Sequence, residues 1–257
     1  MKFIDYYRLA KKHINLIINL KTGNIPKLIR FYGTYKKYRI LNGAEELSIS
    51  DFYPCINDNT LTTPFDAHYF YQGAWAFRKI KESEVKSHID VGSEIRWVGL
   101  LSNITKVIFI DIRPFKTDLK NLIIKEGNIL ELPFEDKSIK SLSCLHVAEH
   151  IGLGRYGDKL DPEGTKKACS ELSRILAPEG NLYFSVPIGK EKTYFNAHRV
   201  HSAHTIINYF KDLKLIEVSG VTDSGRFIEN IDIDVLEKSN YACGLFWFKK
   251  KDVKKND

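Results

Sequence analysis

Two aspartates and one glycine in the stretch from His88 to Asp111 have the types and spacing of a nucleotide-binding site. An apolar run ends in Asp90-Val91-Gly92-Ser93, and a second ends in Asp111, about 20 residues further along. Glycine at such a turn lets the backbone approach a ligand, and a carboxylate at the tip of the next strand can accept hydrogen bonds from both ribose hydroxyls. The pattern therefore predicts strand, glycine turn, helix and strand, which is half of a nucleotide-binding α/β sheet.

The single glycine of this turn bears on which nucleotide would bind. A dinucleotide site requires G-x-G-x-x-G so that backbone amides face a pyrophosphate, but Glu94 and Trp97 stand where the further glycines would fall. Asp90, two residues before Gly92, suits a ligand that carries an ammonium group and no phosphate, which describes S-adenosylmethionine. An ordinary strand-turn-helix without a ligand would give the same short pattern.

Further polar residues stand at the predicted ends of later strands, where ligands bind in an open α/β sheet. These segments are 111–113, 127–129 and 145–150. The glycine-rich loop over 149–158 adds His150, which can take a proton near neutral pH, and Arg155, which can grip a phosphate or carboxylate. A purely structural histidine is the alternative at both His146 and His150.

Histidines and an arginine also follow the predicted fifth strand: His198, Arg199, His201 and His204. They could donate hydrogen bonds to sugar hydroxyls in an acceptor pocket, or ligate a metal together with a carboxylate. Helix capping and crossover packing would explain them equally well. We predict no metal site.

The hydrophobic periodicity from residue 88 onward predicts alternating strands and helices, which is typical of a doubly wound sheet. The predicted fold is therefore α/β with a seven-stranded, Rossmann-like sheet. Strands are predicted at 88–92, 107–112, 123–127, 139–145, 180–186, 213–219 and 241–248, and helices at 94–102, 115–121, 162–176 and 203–211. The long connection over 220–240 indicates an antiparallel finish.

The residues before the sheet are predicted to form a mainly helical appendage, residues 1–65, with an amphipathic helix over 3–20 and a second helix over 25–38. The α/β domain would span 66–250, opening with a helix that runs to Glu84, and 251–257 would be a frayed tail. From Met1 to Ile40 ten basic residues face one acid. Such a surface attracts phosphates, nucleic acid or anionic lipid, or forms a solvated helix face.

The composition is that of an ordinary soluble protein, with 257 residues, 43% hydrophobic and 28% charged. Its four cysteines, Cys55, Cys144, Cys169 and Cys243, include no C-x-x-C pair, so neither a disulfide framework nor a zinc site is predicted. We expect a reduced, cytoplasmic location. No signal-peptide pattern and no apolar run of about 18 residues is present, so we expect no membrane span, while peripheral contact through the basic N-terminus stays open.

Two longer segments resemble the class I S-adenosylmethionine-dependent methyltransferases. They are E-G-N-I-L-E-L-P-F-E-D-K-S-I-K-S-L-S-C-L-H-V-A-E-H over 126–150 and E-L-S-R-I-L-A-P-E-G-N-L-Y-F-S-V-P over 171–187, and the resemblance extends over roughly 66 to 250. The glycine-rich first motif of that family is reduced here to D-V-G-S. The resemblance implies S-adenosyl-L-methionine as the cofactor.

By this resemblance Asp90 and Gly92 flank the methionine moiety, Asp111 holds the ribose and His146 lies beside the sulfonium, while Asn128 and Ile129 bracket the adenine. An aromatic segment over 66–78 could dock the appendage onto the sheet or close over the adenine or sulfonium. The complete set of predicted cofactor-binding residues is Tyr71, Gln72, Asp90, Gly92, Ser93, Asp111, Ile112, Arg113, Asn128, Ile129 and His146.

A closer resemblance is to an uncharacterised methyltransferase-like family often encoded among bacterial surface-polysaccharide genes. The residues that carry it are D-A-H-Y-F-Y-Q over 66–72, L-H over 145–146, E-H-I-G-L-G-R-Y-G-D over 149–158 and N-A-H-R over 196–199. That family also carries D-V-G-S, so a reduced glycine motif is compatible with cofactor binding.

These resemblances, together with the basic appendage, imply a methyltransferase that acts on an oxygen of a small or carbohydrate-linked acceptor, such as a nucleotide-sugar or glycan, in bacterial capsule or other surface-polysaccharide synthesis. The predicted catalytic residues are His150 as base, His146 and Arg155, and the predicted substrate-binding residues are Tyr156, Asp158, Asn196, His198 and Arg199. An RNA methyltransferase and a non-catalytic binding subunit are the alternatives. A nucleic-acid partner is not favoured, because 143–146 lacks the [D/N]-P-P-[Y/F] pattern.

Overall fold

A computed structural model describes residues 24–252 of the chain. The chain divides into two compact units at the boundary between Pro64 and Phe65. The predicted helix over 3–20 and the end of the predicted tail, 253–257, lie outside the described residues. Among residues 24–252, no helix has the length and apolar character needed to cross a membrane.

The described part of the first unit contains one α-helix, α1 (Ile25–Tyr38), and a short 3₁₀ helix (Ile49–Asp51). The predicted second helix is thereby confirmed, with proline in its first turn, where a missing N–H costs nothing. Phe31 and Tyr35 pack against Phe52, with ring centroids 5.6 and 4.7 Å apart. The aromatic stripe of α1 thus supplies packing within this unit.

The second unit alternates strands and helices along the chain. Its described helices are α2 (Ala67–Glu82), α3 (Ile95–Leu101), α4 (Gly164–Ile175), α5 (Ala203–Tyr209) and α6 (Ile233–Glu237). Its strands are β1 (Ser87–Val91), β2 (Lys106–Asp111), β3 (Leu122–Glu126), β4 (Ile139–Leu145), β5 (Leu176–Ile188), β6 (Lys192–Tyr194), β7 (His198–Val200), β8 (Leu213–Val221), β9 (Phe227–Ile228) and β10 (Ala242–Lys250).

One large sheet has the strand order β3-β2-β1-β4-β5-β10-β8-β9, in which the first five strands of the order are parallel. Strand β10 runs antiparallel to both β5 and β8, so the predicted antiparallel finish is confirmed. The α/β class is confirmed as well, with eight strands instead of seven because the two-residue strand β9 pairs with β8. The ribbon of β6 and β7 was not predicted.

Helices cover both faces of this sheet, because the strands alternate apolar side chains between two cores. On β5, Phe184 belongs to the core that includes Leu172 of α4, whereas its neighbour Tyr183 belongs to the core that includes Trp75 of α2 and Trp97 of α3. A strand buried on both faces is typical of doubly wound sheets. Because the first five strands of the sheet order are parallel, their carboxyl ends lie along one edge of the sheet.

The helix predicted over 115–121 is absent, and that prediction is wrong. These residues form an irregular connection between β2 and β3. Leu119 is an exposed side chain and Phe115 is only partly buried against the core, so the segment has little apolar surface to bury as a helix.

Candidate functional site

The turn after β1 is shaped by Gly92 and by the carboxylate of Asp90. Gly92 has φ +69°, and a Cβ there would lie 3.0 Å from Val147 Cγ1, so glycine serves both conformation and space. Asp90 accepts hydrogen bonds from the Ser93 N–H, at 3.1 Å, and from the Ser143 hydroxyl. The hydrogen bond between Asp90 and Ser93 holds the turn in place. Both residues are buried, and neither lines one of the cavities described below.

A buried polar network continues from Asp90 into the sheet. Ser143 donates its proton to Asp90, so its oxygen accepts from His88 Nε2, while His88 Nδ1 accepts from Ser141, each at 2.7 Å. Burial lowers the pKa of His88 to about 3, so this ring is neutral. Burial raises the pKa of Asp90 to about 7 against the opposing hydrogen bonds from Ser143 and Ser93.

Asp90→Asn should change how stability depends on pH. Since the folded-state pKa of Asp90 exceeds its unfolded value, the folded state binds the extra proton between about pH 4 and pH 7. This carboxyl therefore adds stability as the pH falls, by at most about 1.4 kcal/mol per pH unit, and the substitution removes that contribution. Urea unfolding of both proteins between about pH 5 and pH 8 measures it. A difference in unfolding free energy that does not vary with pH would contradict the assignment.

A cavity of about 410 Å³ lies at the carboxyl ends of the parallel strands, and we call it the strand-end cavity. Asp111, at the end of β2, lines it, and its Oδ1 accepts a hydrogen bond of 2.7 Å from the Arg113 N–H. Asn128 similarly accepts from the Leu130 N–H at 2.9 Å. The predicted cofactor residues found in its wall are Gly92, Asp111, Ile112, Arg113, Asn128, Ile129 and His146.

A second cavity of about 260 Å³ lies beside the first, and we call it the histidine cavity. Its wall consists of ionisable and aromatic groups together with Ala67: Asp66, His68, Tyr69, His146, Glu149, His150, Arg155, His198 and Tyr241. His146 and His150 line both cavities. The two histidines therefore stand at the junction, where groups bound in the two cavities would meet.

His146 is held at this junction by contacts on both ring nitrogens. Its Nδ1 lies 2.9 Å from Glu149 Oε1, and its Nε2 lies 3.2 Å from Cys243 Sγ. Burial opposes protonation, but the adjacent Cys243 sulfur and Glu149 carboxylate outweigh it and raise the pKa of His146 to about 10. The backbone at His146 is also unusual, with φ +54° in the left-handed region.

His150 has one nitrogen fixed and the other directed toward a carboxylate. Its Nδ1 lies 2.6 Å from the Ala197 carbonyl oxygen and must therefore carry a proton, which leaves Nε2 as the basic nitrogen of the neutral ring. Nε2 lies 3.7 Å from Glu149 Oε1. Arg155 donates to the same Ala197 carbonyl at 3.1 Å. A proton taken up at Nε2 would thus lie near a negative charge.

The loop over 149–158 is organised by Asp158, which lines the strand-end cavity. Its carboxylate accepts from the backbone N–H groups of Gly152, Gly154 and Tyr156, at 2.7, 3.3 and 3.2 Å. Burial acts in the opposite direction, but these hydrogen bonds hold the pKa of Asp158 below its usual value. The guanidinium of Arg113 lies 4.3 Å from the centroid of the Tyr156 ring, so the loop contacts the segment after β2.

Gly152→Ala should disrupt this loop more than Gly157→Ala. Both glycines have positive φ, +81° and +85°, so alanine at either costs roughly 1–2 kcal/mol of conformational energy. Only at Gly152 would the new Cβ meet backbone, 2.1 Å from the Asp161 oxygen, while Gly157 has open space. Urea unfolding compares the two variants directly, and equal losses of stability would show that the close approach has no effect.

Several predicted site residues lie outside both cavities. Tyr71 stacks on Phe227 at 5.2 Å, and Gln72 is buried, accepting from the Ser185 hydroxyl at 2.6 Å. Arg199 donates to the carbonyls of Ile151 and Asp161, at 2.6 and 3.1 Å, so its contacts support the loop over 149–158 and its continuation to 161. Asn196 is exposed in the turn between β6 and β7.

The other predicted catalytic and substrate-binding residues line a cavity. His198 and Arg155 line the histidine cavity, and Tyr156 and Asp158 line the strand-end cavity.

Residues absent from the predicted site also line these cavities or contact their walls. Glu149 stands within the segment that carried the methyltransferase resemblance, and His68 stands within D-A-H-Y, so a motif was available for both. No sequence motif connected Cys243 with the site, because it is the one cysteine of β10 and lies 97 positions from His146 along the chain. Tyr241 precedes the same strand.

We compared the chain with known protein families, curated sequences and solved structures. A family described as "Caenorhabditis protein of unknown function, DUF268" matches residues 134–238. No curated protein sequence matches the chain. A structure of the N-methyltransferase NodS from Bradyrhizobium japonicum WM9, in complex with S-adenosyl-L-homocysteine, is 14% identical with a TM-score of 0.50, and the match covers 85% of this chain and 97% of that one.

A proposed sarcosine dimethylglycine methyltransferase from Galdieria sulphuraria is 13% identical with a TM-score of 0.52, covering 71% of this chain and 85% of that one. At such identities the similarity establishes architecture and not chemistry. The second unit therefore has the fold of class I S-adenosylmethionine-dependent methyltransferases. The region that matches the family of unknown function contains the loop over 149–158 and the β6–β7 ribbon, and this region ends before Cys243.

Proposed function

We propose that this protein transfers a methyl group from S-adenosyl-L-methionine to a hydroxyl oxygen of a small or carbohydrate-linked acceptor. The observation that carries the proposal is the pair of adjoining cavities that share His146 and His150. One cavity has the size of a ligand site and a carboxylate at the end of β2, and the other is lined by groups that can bind a polar acceptor. The class I methyltransferase fold supports the choice of cofactor.

In the strand-end cavity, Asp111 accepts hydrogen bonds from the ribose hydroxyls, Asn128 and Ile129 bracket the adenine, and Gly92 lets the methionine moiety approach the backbone. These roles follow the motif positions and the wall of the cavity. His146, at the junction, would then lie beside the sulfonium. The cofactor supplies an activated methyl group, so the protein's own task is alignment and removal of one proton.

The histidine cavity would hold the acceptor with its hydroxyl toward the junction. The cofactor would supply its methyl group to the acceptor oxygen, and the electron pair of the broken carbon–sulfur bond would stay on sulfur. His150 Nε2 takes the hydroxyl proton, and the adjacent Glu149 carboxylate stabilises the resulting imidazolium. Arg155 and His198 contribute hydrogen-bond donors for phosphate, carboxylate or sugar groups of the acceptor.

We place this activity in the synthesis of bacterial capsule or other surface polysaccharides, with nucleotide-sugars or glycans as acceptors. The resemblance of 66–72, 149–158 and 196–199 to a family encoded among such genes supports this placement, and the polar wall of the histidine cavity is compatible with it. In this proposal the predicted contacts Tyr156 and Asp158 act through the loop over 149–158.

Calorimetric titration of the protein with S-adenosylhomocysteine tests the cofactor, and transfer of labelled methyl from S-adenosylmethionine to a panel of nucleotide-sugars tests the acceptor. We expect saturable micromolar binding and label in at least one nucleotide-sugar. Absence of binding would overturn the cofactor assignment and favour a non-catalytic subunit. Binding with label transferred only to RNA would overturn the acceptor class.

A further inference from the structure

Three potential metal ligands from distant parts of the chain converge beside the histidine cavity. They are His68 in the first turn of α2, His146 after β4 and Cys243 on β10, and their ligating atoms all lie within 4.8 Å of one another. His146 Nε2 and Cys243 Sγ are 3.2 Å apart. A tetrahedral zinc ion with one nitrogen and one sulfur ligand places those atoms about 3.5 Å apart, so this pair already has nearly the required spacing.

Glu149, the carboxylate that contacts His146, gives a second observation that bears on a cation site. Its side chain is 1% exposed, and its Oε1 pairs with His146 Nδ1 at 2.9 Å. Its other oxygen, Oε2, is buried and has no hydrogen-bond partner among residues 24–252. A buried carboxylate oxygen without a partner is unfavourable unless a positive charge lies nearby.

The contact between Glu149 and His146 also has the form seen around metal sites. A histidine ligand commonly donates its other ring N–H to a carboxylate, which fixes the tautomer and aims the remaining nitrogen at the metal. Here Glu149 engages Nδ1 and thereby directs Nε2 toward Cys243. One thiolate and one carboxylate would together balance the charge of a divalent ion.

We propose that His68, His146 Nε2 and Cys243 Sγ bind a divalent transition-metal ion, with zinc as the best match to a nitrogen and sulfur ligand set. His68 is partly buried and stacks on Tyr241 at 5.2 Å, and closing its distance to His146 and Cys243 from the present limit of 4.8 Å would complete the site. Three protein ligands leave one tetrahedral position open.

A further ligand would reach such an ion from the histidine cavity, since His68 and His146 are both part of its wall. An oxygen ligand there would be the acceptor hydroxyl of the proposed function, on which this last step rests. Coordination lowers the pKa of a bound hydroxyl, so the ion would assist loss of the proton to His150. The site consequently favours acceptors with an exposed hydroxyl over acceptors that offer only a protonated amine.

Cobalt(II) titration of the metal-stripped full-length protein provides the test, because a thiolate bound to cobalt gives a near-ultraviolet charge-transfer band that oxygen and nitrogen ligands do not give. The background should carry Cys55→Ser, since Cys55 is an exposed thiol able to bind metal by itself. We expect one cobalt per chain with the band, displaced by zinc, and one zinc per chain retained after dialysis.

Three substitutions make the assignment specific. Cys243→Ser should abolish the band, whereas Cys169→Ser, at a cysteine buried in the apolar core, should retain it. His68→Gln should weaken binding at least as much as the roughly 10–100-fold expected for Glu149→Gln, which removes only the supporting carboxylate. Because His68 is partly exposed, its variant decides the question even if Cys243→Ser fails to fold.

Absence of cobalt and zinc binding would overturn the proposal and leave a hydrogen bond between Cys243 and His146. Unchanged affinity in His68→Gln would overturn the three-ligand set. Titration of the metal-stripped protein with S-adenosylhomocysteine is measured separately. Metal binding without cofactor binding would overturn the proposed function and leave the ion site standing. Cofactor binding without metal binding would overturn the ion site and leave the proposed function standing.

Discussion

Asp111→Ala is expected to weaken the binding of S-adenosylhomocysteine by about 100-fold. A carboxylate that accepts from two ribose hydroxyls makes two charge-assisted hydrogen bonds, and their loss together costs about 3 kcal/mol. Each factor of ten in affinity corresponds to about 1.4 kcal/mol. Asp111 is suited to this role because it ends β2, lines the strand-end cavity and is oriented by the Arg113 N–H at 2.7 Å.

Two further variants separate the loss of ribose contacts from general damage. Asp111→Asn keeps one acceptor oxygen and the side-chain shape, so we expect an intermediate loss of about 10-fold. Asp118→Ala removes an exposed carboxylate from the same connection between β2 and β3 and should leave affinity unchanged. Calorimetry on the three variants gives the dissociation constants. Wild-type affinity in Asp111→Ala would place the ribose elsewhere.

The position of Asp111 could be predicted from sequence because it depends only on local periodicity and on the geometry of parallel strands. Apolar runs that end in Asp90 and Asp111 must end at the same edge once β1 and β2 pair in parallel, and they do pair so. The same argument placed Asn128 and His146 at this edge. Which carboxylate faces a cavity is a different question, since Asp90 turns out to be buried in a network with Ser143 and His88.

The contacts made by residues from the far end of the chain could not be predicted in this way. Strand β10 enters the sheet between β5 and β8, which brings Cys243 next to His146 across 97 positions. No local pattern specifies such a pairing, because it depends on the order of strands in the finished sheet. For the same reason an isolated cysteine did not predict a metal ligand, although its neighbours in space make it one in our proposal.

Arginine 199 illustrates the opposite error, in which a residue type suggests a ligand contact and the fold uses it for support. Its guanidinium donates to the carbonyls of Ile151 and Asp161, which ties the loop over 149–158 to its continuation at residue 161. Buried carbonyls at a loop require donors, and a fixed guanidinium supplies several. Sequence alone does not distinguish this requirement from recognition of an anionic substrate.

His150→Ala is expected to lower kcat for methyl transfer by about 100- to 10,000-fold, the range that removal of a positioned general base costs. The affinity for S-adenosylhomocysteine should fall much less than kcat, because the proposed ribose, adenine and methionine contacts come from the ends of β1, β2 and β3, although His150 also lines the strand-end cavity. His204→Ala is the matched control, since that histidine is exposed and pairs with Glu237 away from both cavities. Both rates are measured with labelled S-adenosylmethionine and a saturating acceptor.

His150→Asn separates a base from a loop support. Asparagine can place its amide N–H near the position of Nδ1 and keep the hydrogen bond to the Ala197 carbonyl, but it has no basic nitrogen in place of Nε2. If His150 acts as the base, Asn and Ala should be equally slow. If it only holds the β6–β7 ribbon against the loop over 149–158, Asn should recover most of the wild-type kcat. The proton would then pass to another group of this cavity wall, where Glu149 Oε2 and His198 Nε2 are both buried without a hydrogen-bond partner among residues 24–252.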